Sequence, residues 1–160
     1  NRWFWETGNK NIFGGSSSFT RFCISLEGYY PLNRFLNYRI KTAAGGGDLT
    51  VPFSEFFTLG GMMDFPGLYE KEKFGRQLVS LQNELRYAFS WNRPIDMYLG
   101  VNFNLGAIAE SMEEPLHRKD FFTSWGVYLA INSLIGPVQL MYGNLTNIRD
   151  IIYFSIGHEF

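Results

Sequence analysis

The sequence is poor in the residues that carry most covalent and metal chemistry. Its one cysteine, Cys23, excludes an intramolecular disulfide framework and a cysteine-based zinc site. Cys23 reads as a small filler in a strand, because a reactive thiolate needs a nearby base and the only histidines, His117 and His158, lie far along the chain. Those two histidines have no supporting carboxylate spacing, so neither a metal nor a cofactor is expected. Charge of either sign is scarce in excess: 14 Lys and Arg stand against 15 Asp and Glu. That balance argues against nucleic acid as a partner, which calls for a basic surplus or stripe. No run of about 18 uncharged apolar residues occurs, which excludes a helical membrane span. No Gly-x-Ser-x-Gly elbow occurs either, and Gly14-Gly15-Ser16-Ser17-Ser18 reads as a Gly/Ser turn. The chain opens on Asn1 without Met or a signal peptide, so a mature or trimmed piece is expected, its export signal lying elsewhere.

What is present is aromatic: 16 Phe, 9 Tyr and 4 Trp in 160 residues, with 17 Gly. So many aromatics with so little net charge oppose disorder. The dominant periodicity is two. Ile95, Met97, Leu99, Val101, Phe103 and Leu105 share one face, and Asp96, Tyr98, Gly100, Asn102, Asn104 and Gly106 the other. The same alternation runs through residues 79–91, with only Asn83 out of pattern, through 22–27, 36–41, 124–132 and 138–142, and from Ile152 to Phe160. With Phe53 to Leu59, eight strands are expected from about residue 18 onward, and no helix. Residues 1–17 are expected to be a lead-in segment or partial strand and 18–160 one transmembrane β-barrel domain.

Two architectures fit this alternation: a soluble sandwich or barrel with apolar residues inside, and a membrane barrel with them outside. The polar faces are Gly, Ser, Asn, Gln, Tyr and Ala with few charges, which suits a narrow packed lumen better than a solvated surface. Strands of 12 to 16 residues exceed the usual globular length of about five or six. Aromatics gather near strand ends, at Trp3-Phe4-Trp5, Tyr29-Tyr30, Trp91 and Phe121-Phe122, as membrane-interface girdles do. Connections around residues 91–94 and 133–137 are short, while those at 60–75, 108–120 and 144–150 are longer and more charged. Ala43-Ala44-Gly45-Gly46-Gly47-Asp48 is assigned to a short-side turn. The expectation is an all-β, antiparallel transmembrane barrel of about eight strands in a bacterial outer membrane.

Four stretches carry a family resemblance. Phe57-Thr58-Leu59-Gly60-Gly61, followed by Phe65-Pro66-Gly67-Leu68-Tyr69 and Gly75, resembles the approach to an inward-folded loop. Asn83-Glu84-Leu85-Arg86 resembles the next strand, Gly126 through Gly136-Pro137-Val138-Gln139-Leu140 a late turn, and Tyr153 to Phe160 a closing strand. Together they resemble the C-terminal part of the bacterial surface antigen outer-membrane barrel superfamily. That superfamily includes the outer-membrane assembly core, two-partner secretion transporters and the barrels attached to patatin-like phospholipases. The resemblance implies that Gly60, Gly61, Phe65, Pro66, Gly67, Tyr69 and Gly75 form the loop folded into the lumen. It also implies that Phe154, Ile156, His158 and Phe160 form a C-terminal signal read by the barrel-insertion machinery. Two departures stand out. Pro66 occupies the place of a loop Arg, and Asn104 that of an Asp which binds it in the family. Losing both is coherent, since a lone buried charge would cost several kcal/mol. The loss favours the phospholipase-attached branch over an insertase. The family's barrel has sixteen strands, so the chain is either the C-terminal half of such a barrel or a small closed version.

The functional expectation is a non-enzymatic membrane anchor, or a translocation or assembly barrel for protein. A small lipid-modifying enzyme and a structural or adhesive eight-stranded barrel are the alternatives. For an enzyme, the candidates are Glu110, Ser111, Glu113, Glu114 and His117, which otherwise read as a solvated charge cluster. Glu84, Arg86 and Asn104 form a polar lumen network, with Glu27, Arg21, Arg39, Lys41 and Asp96 on inner faces elsewhere. It is open to two readings, loop anchoring or gating on one side and plain charge compensation on the other. His158 reads as an interfacial residue, and Glu70-Lys71-Glu72-Lys73 as an exposed run. Expected partners are outer-membrane lipids and lipopolysaccharide, the insertion machinery, and a second copy or another membrane subunit.

Overall fold

A computed structural model describes residues 2–8, 19–92, 95–110, 121–133, 136–146 and 148–157. Ten strands are present among them: β1 (Arg2–Gly8), β2 (Phe19–Pro31), β3 (Leu36–Gly47), β4 (Phe57–Leu59), β5 (Lys73–Gly75), β6 (Gln77–Asn92), β7 (Ile95–Ala109), β8 (Phe121–Ser133), β9 (Gly136–Leu145) and β10 (Arg149–Ile156). Eight of them make one antiparallel sheet in the order β1-β2-β3-β6-β7-β8-β9-β10, and β4 pairs only with β5. The main sheet is open among the described residues, with β1 and β10 at its edges.

Period-two alternation sets the two faces. Ile24, Leu26, Leu99, Val101, Phe103, Leu140, Ile152 and Phe154 are all exposed on the outer face. The inner face carries Ser80, Gln82, Glu84, Asn102, Asn104 and Ser124, all buried. Connections alternate in length. Residues 32–35 join β2 to β3 at one end of the sheet, where β6 also ends and β7 begins and where β8 ends and β9 begins, termed here the short-turn end; 48–76 depart from the other, the long-loop end, where β7 ends and β8 begins. In the first short turn the Asn33 side chain accepts from the Phe35 and Leu36 amides at 2.8 and 2.9 Å, a local bond that favours Asn at a turn.

Several expectations require correction. Phe53 to Leu59 is not one strand of the main sheet. Pro52 (φ −67°) has no N–H to give a ladder and leads into a 3₁₀ turn, Phe53–Glu55, before the short β4. The main sheet therefore takes seven strands from residue 19 onward, and Arg2–Gly8 is the eighth, paired with β2. Ala43 to Gly47 is no turn. It is the end of β3, hydrogen-bonded to β2 on one side and to β6 on the other. The connection between β9 and β10 occupies only 146–148 and is as brief as the short turns.

Beyond β3 the chain turns at Asp48, whose carboxylate clips the two strands together. Its Oδ2 accepts from the Thr20 amide at 2.8 Å, and its Oδ1 accepts from the Thr50 amide and hydroxyl at 2.9 and 2.6 Å. Partial burial alone raises this carboxyl. The hydrogen bonds from Thr50, Thr20 and Val51 outweigh that and hold it below the usual carboxylate range.

Candidate functional site: a loop seated on the inner face

Residues 48–76 leave from β3 and return to β6, which are neighbours in the sheet, and pack back over the inner face at the long-loop end. The tip is closed by its own backbone: the Phe65 amide donates to Gly61 O at 2.9 Å, and the Gly61 amide to Leu68 O at 3.1 Å. Such a reversal needs positive φ. Gly60 (134°) and Gly61 (111°) supply it at the entry, and Gly67 (89°) at the tip.

The loop presents apolar side chains to the sheet. Phe65 and Leu68 are wholly inaccessible to solvent, and they cluster with Phe57, Leu59, Leu78 and Leu145. Phe65 meets Phe122 edge-on, with ring centroids 5.1 Å apart. Under them the sheet has glycine. A Cβ at Gly106 would lie 2.8 Å from the Phe65 ring, one at Gly126 3.1 Å from Pro66, and one at Gly143 2.7 Å from both Pro66 Cβ and the Gly67 nitrogen. Gly45 likewise leaves room for Phe57. These glycines are backbone recesses that admit the loop.

β10 then fastens the loop. Tyr153 receives the Gly67 amide on its hydroxyl at 2.7 Å and donates to Leu68 O at 2.8 Å. Arg149 Nε donates to Gly67 O at 2.9 Å, its Nη2 pairs with Glu72, and its guanidinium lies 4.8 Å from the centre of the Tyr69 ring. From the other side Lys41 Nζ reaches Asp64 at 2.9 Å, and Arg21 binds Glu55 at 2.7 Å. The run 70–73 is thus not uniformly a solvated one. Glu72 is half-buried and paired, whereas Glu70, Lys71 and Lys73 are exposed.

The structure brings Gly60, Gly61, Phe65, Pro66 and Gly67 together in the loop tip. Tyr69 lies exposed beneath Arg149, and Gly75 is buried at the return strand, where a Cβ would meet Ala109 O at 2.3 Å. No hydrogen bond links Pro66 and Asn104. Pro66 lies over Gly126 and Gly143, while Asn104, also buried, approaches Ser124 Oγ at 3.4 Å. Arg149, Tyr153 and Glu72, which sequence reasoning did not select, do the fastening instead.

The short-turn half of the inner face is charged. Glu84 Oε1 accepts from Arg86 Nη2 at 2.7 Å and from the Tyr128 hydroxyl, and its Oε2 accepts from Arg39 Nη1 at 3.2 Å. Arg39 Nε also binds Glu27 at 2.6 Å. Asn104 stands next to this network, opposite Gln82, without joining it. Asp96 lies exposed near the start of β7. Among the described residues no cluster of His, Cys, Asp and Glu is able to hold a metal ion.

Phe154 and Ile156 stand on the exposed outer face of β10, 66% and 58% accessible, while His158 and Phe160 lie outside the described residues. So do Ser111, Glu113, Glu114 and His117. Glu110 is exposed, and its carbonyl accepts from Arg76 Nη1 at 3.0 Å. No curated protein matches the sequence. One family does, the Omp85 superfamily domain, over residues 3–160.

Proposed function

The chain belongs to the Omp85 superfamily, whose members are bacterial outer-membrane proteins, and from that premise we propose that its sheet is part of the wall of a transmembrane barrel. The barrel serves as a membrane anchor, or as a translocation or assembly barrel for protein, and performs no catalysis. One observation carries the reading. The face that would meet lipid is predominantly apolar, with Asn83 an exception bonded to Tyr38, while the opposite face is mostly polar and is covered at its long-loop end by a loop of the same chain. In water such an outer face would be a large exposed apolar patch; in a bilayer it is the required surface. β6 and β7, of 16 and 15 residues, exceed the roughly 9–11 residues that a tilted strand needs to cross. Aromatic pairs mark both ends of that face. Tyr30 with Tyr38 and Phe35 with Tyr87 lie toward the short turns, and Trp125 with Tyr142 toward the long loops, as interfacial girdles do.

The tucked loop bears on size. About eight strands enclose only their own side chains, whereas this sheet also accommodates Phe57, Leu59, Phe65 and Leu68 of the loop on its inner side. That favours the sheet as one half of a larger barrel, closed by further strands along the edges at β1 and β10. The outer face contacts outer-membrane lipids, the long-loop end faces lipopolysaccharide, and the end of β10 engages the insertion machinery. A second copy or another membrane subunit remains a proposed neighbour at the open edges.

Depth-dependent quenching by brominated lipids tests the orientation. A fluorophore at Val101 or Phe103 is expected to be quenched, and one at Asn102 shielded. Equal quenching at 101 and 102 would overturn the assignment of faces. The non-enzymatic reading predicts unchanged lipid A and phospholipid profiles in a deletion strain, and an altered profile would refute it.

A further inference from the structure

The charged half of the inner face contains more than compensated ion pairs. Arg39 and Arg86 approach Glu84 from two strands, Arg39 directly opposite it across the β3–β6 ladder and Arg86 two residues further along β6. Each guanidinium also lies near an aromatic ring, Arg39 at 6.0 Å from the centre of Tyr29 and Arg86 at 5.8 Å from that of Tyr98. Carboxylate below and ring beside hold both side chains in place before any ligand arrives, which cuts the ordering cost of binding.

The two carboxylates are consumed by these contacts. Glu84 accepts from both arginines and from Tyr128, and Glu27 from Arg39 and Tyr29. Donors remain. Arg39 Nη2, Arg86 Nη1, the Asn37 amide and the Tyr98 hydroxyl have no hydrogen-bond partner among the described residues. These four residues, with Tyr29 and Glu84, line one cavity of about 160 Å³ toward the short-turn end. Asn37 stands directly opposite Arg86 in the β3–β6 register, so both side chains stand side by side at the same cavity.

We propose that Arg39, Arg86, Asn37 and Tyr98 form a binding site for a single oxyanion, a carboxylate or a phosphate group, admitted from the short-turn end. A guanidinium fork matches the two oxygens of either group. The four charged side chains, Arg39, Arg86, Glu27 and Glu84, sum to zero, so recognition rests on directed hydrogen bonds rather than on a net field. Affinity is accordingly weak, in the millimolar range, and falls with added salt. A carboxylate would come from an acidic side chain or chain terminus of a polypeptide entering the lumen; a phosphate would come from a free or headgroup phosphate. The site is separate from the seated loop and does not depend on whether the barrel anchors or translocates.

Calorimetric titration of the full-length protein in detergent at low salt, with inorganic phosphate and separately with acetate, tests it. Saturable one-to-one binding of either anion is expected, and which one binds identifies the source; saturation by neither overturns the proposal. Asn37→Asp places a carboxylate at the exposed rim of the cavity without touching Glu84, and is expected to weaken binding about tenfold or more through like-charge repulsion, with thermal stability unchanged. Arg86→Lys removes the fork and is expected to weaken it as well. Undiminished binding by Asn37→Asp at unchanged stability would refute the site.

Discussion

Gly143→Ala separates a seated loop from a free one by the sign of its effect. On an ordinary strand, replacing Gly by Ala relieves backbone entropy and stabilises by about 0.5–1 kcal/mol. At position 143 the added methyl would lie 2.7 Å from the Gly67 nitrogen and from Pro66 Cβ, and 3.0 Å from the Tyr153 ring. Two of those three neighbours are a backbone atom and a proline ring, which cannot swing aside as a flexible side-chain end would. Relief therefore requires the loop to rise off the sheet, loosening Phe65 and Leu68, or the sheet to bend. Overpacking of this kind costs about 1–3 kcal/mol. Net destabilisation in that range is expected in urea-induced unfolding from lipid vesicles. Maleimide reactivity of a reporter, Leu68→Cys in a Cys23→Ala background, is expected to rise in parallel. A stability gain, with the reporter as protected as before, would refute the seating of the loop on Gly143.

Four further outcomes are expected. Arg149→Met and Glu72→Gln each loosen the loop, and because they share one contact the double variant falls short of their sum by about 0.5–3 kcal/mol in a double-mutant cycle. Glu84→Ala leaves Arg39 and Arg86 without their shared carboxylate and costs about 3–5 kcal/mol, read as a drop in the unfolding free energy; a change within error would mean the arginines reach water. Gln82→Met replaces a buried amide whose Oε1 has no hydrogen-bond partner among the described residues, so stability is expected to hold or to rise by up to about 1–3 kcal/mol. Asp48, whose folded carboxyl is depressed, contributes stability that is complete above its unfolded pKa and disappears as pH falls through the folded value. Asp48→Asn is accordingly expected to flatten the acid limb of the stability–pH curve, and an unchanged limb would remove the clip between β2 and β3.

Much of the sheet was legible because alternation is local. The faces of β6 and β7 follow from residues two apart, and the brief β6–β7 and β8–β9 connections from the Pro-bearing segments 91–94 and 133–137; the turn at Asn33 was not read. What failed needed information from across the fold. Phe53–Leu59 alternates like a strand, yet Pro52 starts a 3₁₀ turn and the remainder faces the sheet instead of joining it. The glycines of Ala43–Gly47 look like a turn until Phe57 and Val51 are seen lying against Gly45 and Gly47. Of the loop, the glycines and the apolar tip were visible, but its fastening was not. Arg149 and Glu72 are 77 residues apart, and nothing local to either marks the other. The resemblance pointed to the loop's residues, but nothing in Pro66 or Asn104 points to Arg149 or Tyr153 as the side chains that hold it.

The loop's two ends enter the sheet side by side, at Gly47 on β3 and Gln77 on β6, strands that are already bonded to each other. It is a flap hung from one seam. Lifting it threads nothing through the wall and leaves every rung between the eight main strands in place; only its own contacts and a few bonds at the seam are at stake, among them Gly47 to Arg76 and Arg76 to Ala109. In the barrel proposed above, the space on the inner side would thus be widened or narrowed by one segment without breaking a bond between main strands, so that opening a passage and keeping the membrane sealed would be independent variables.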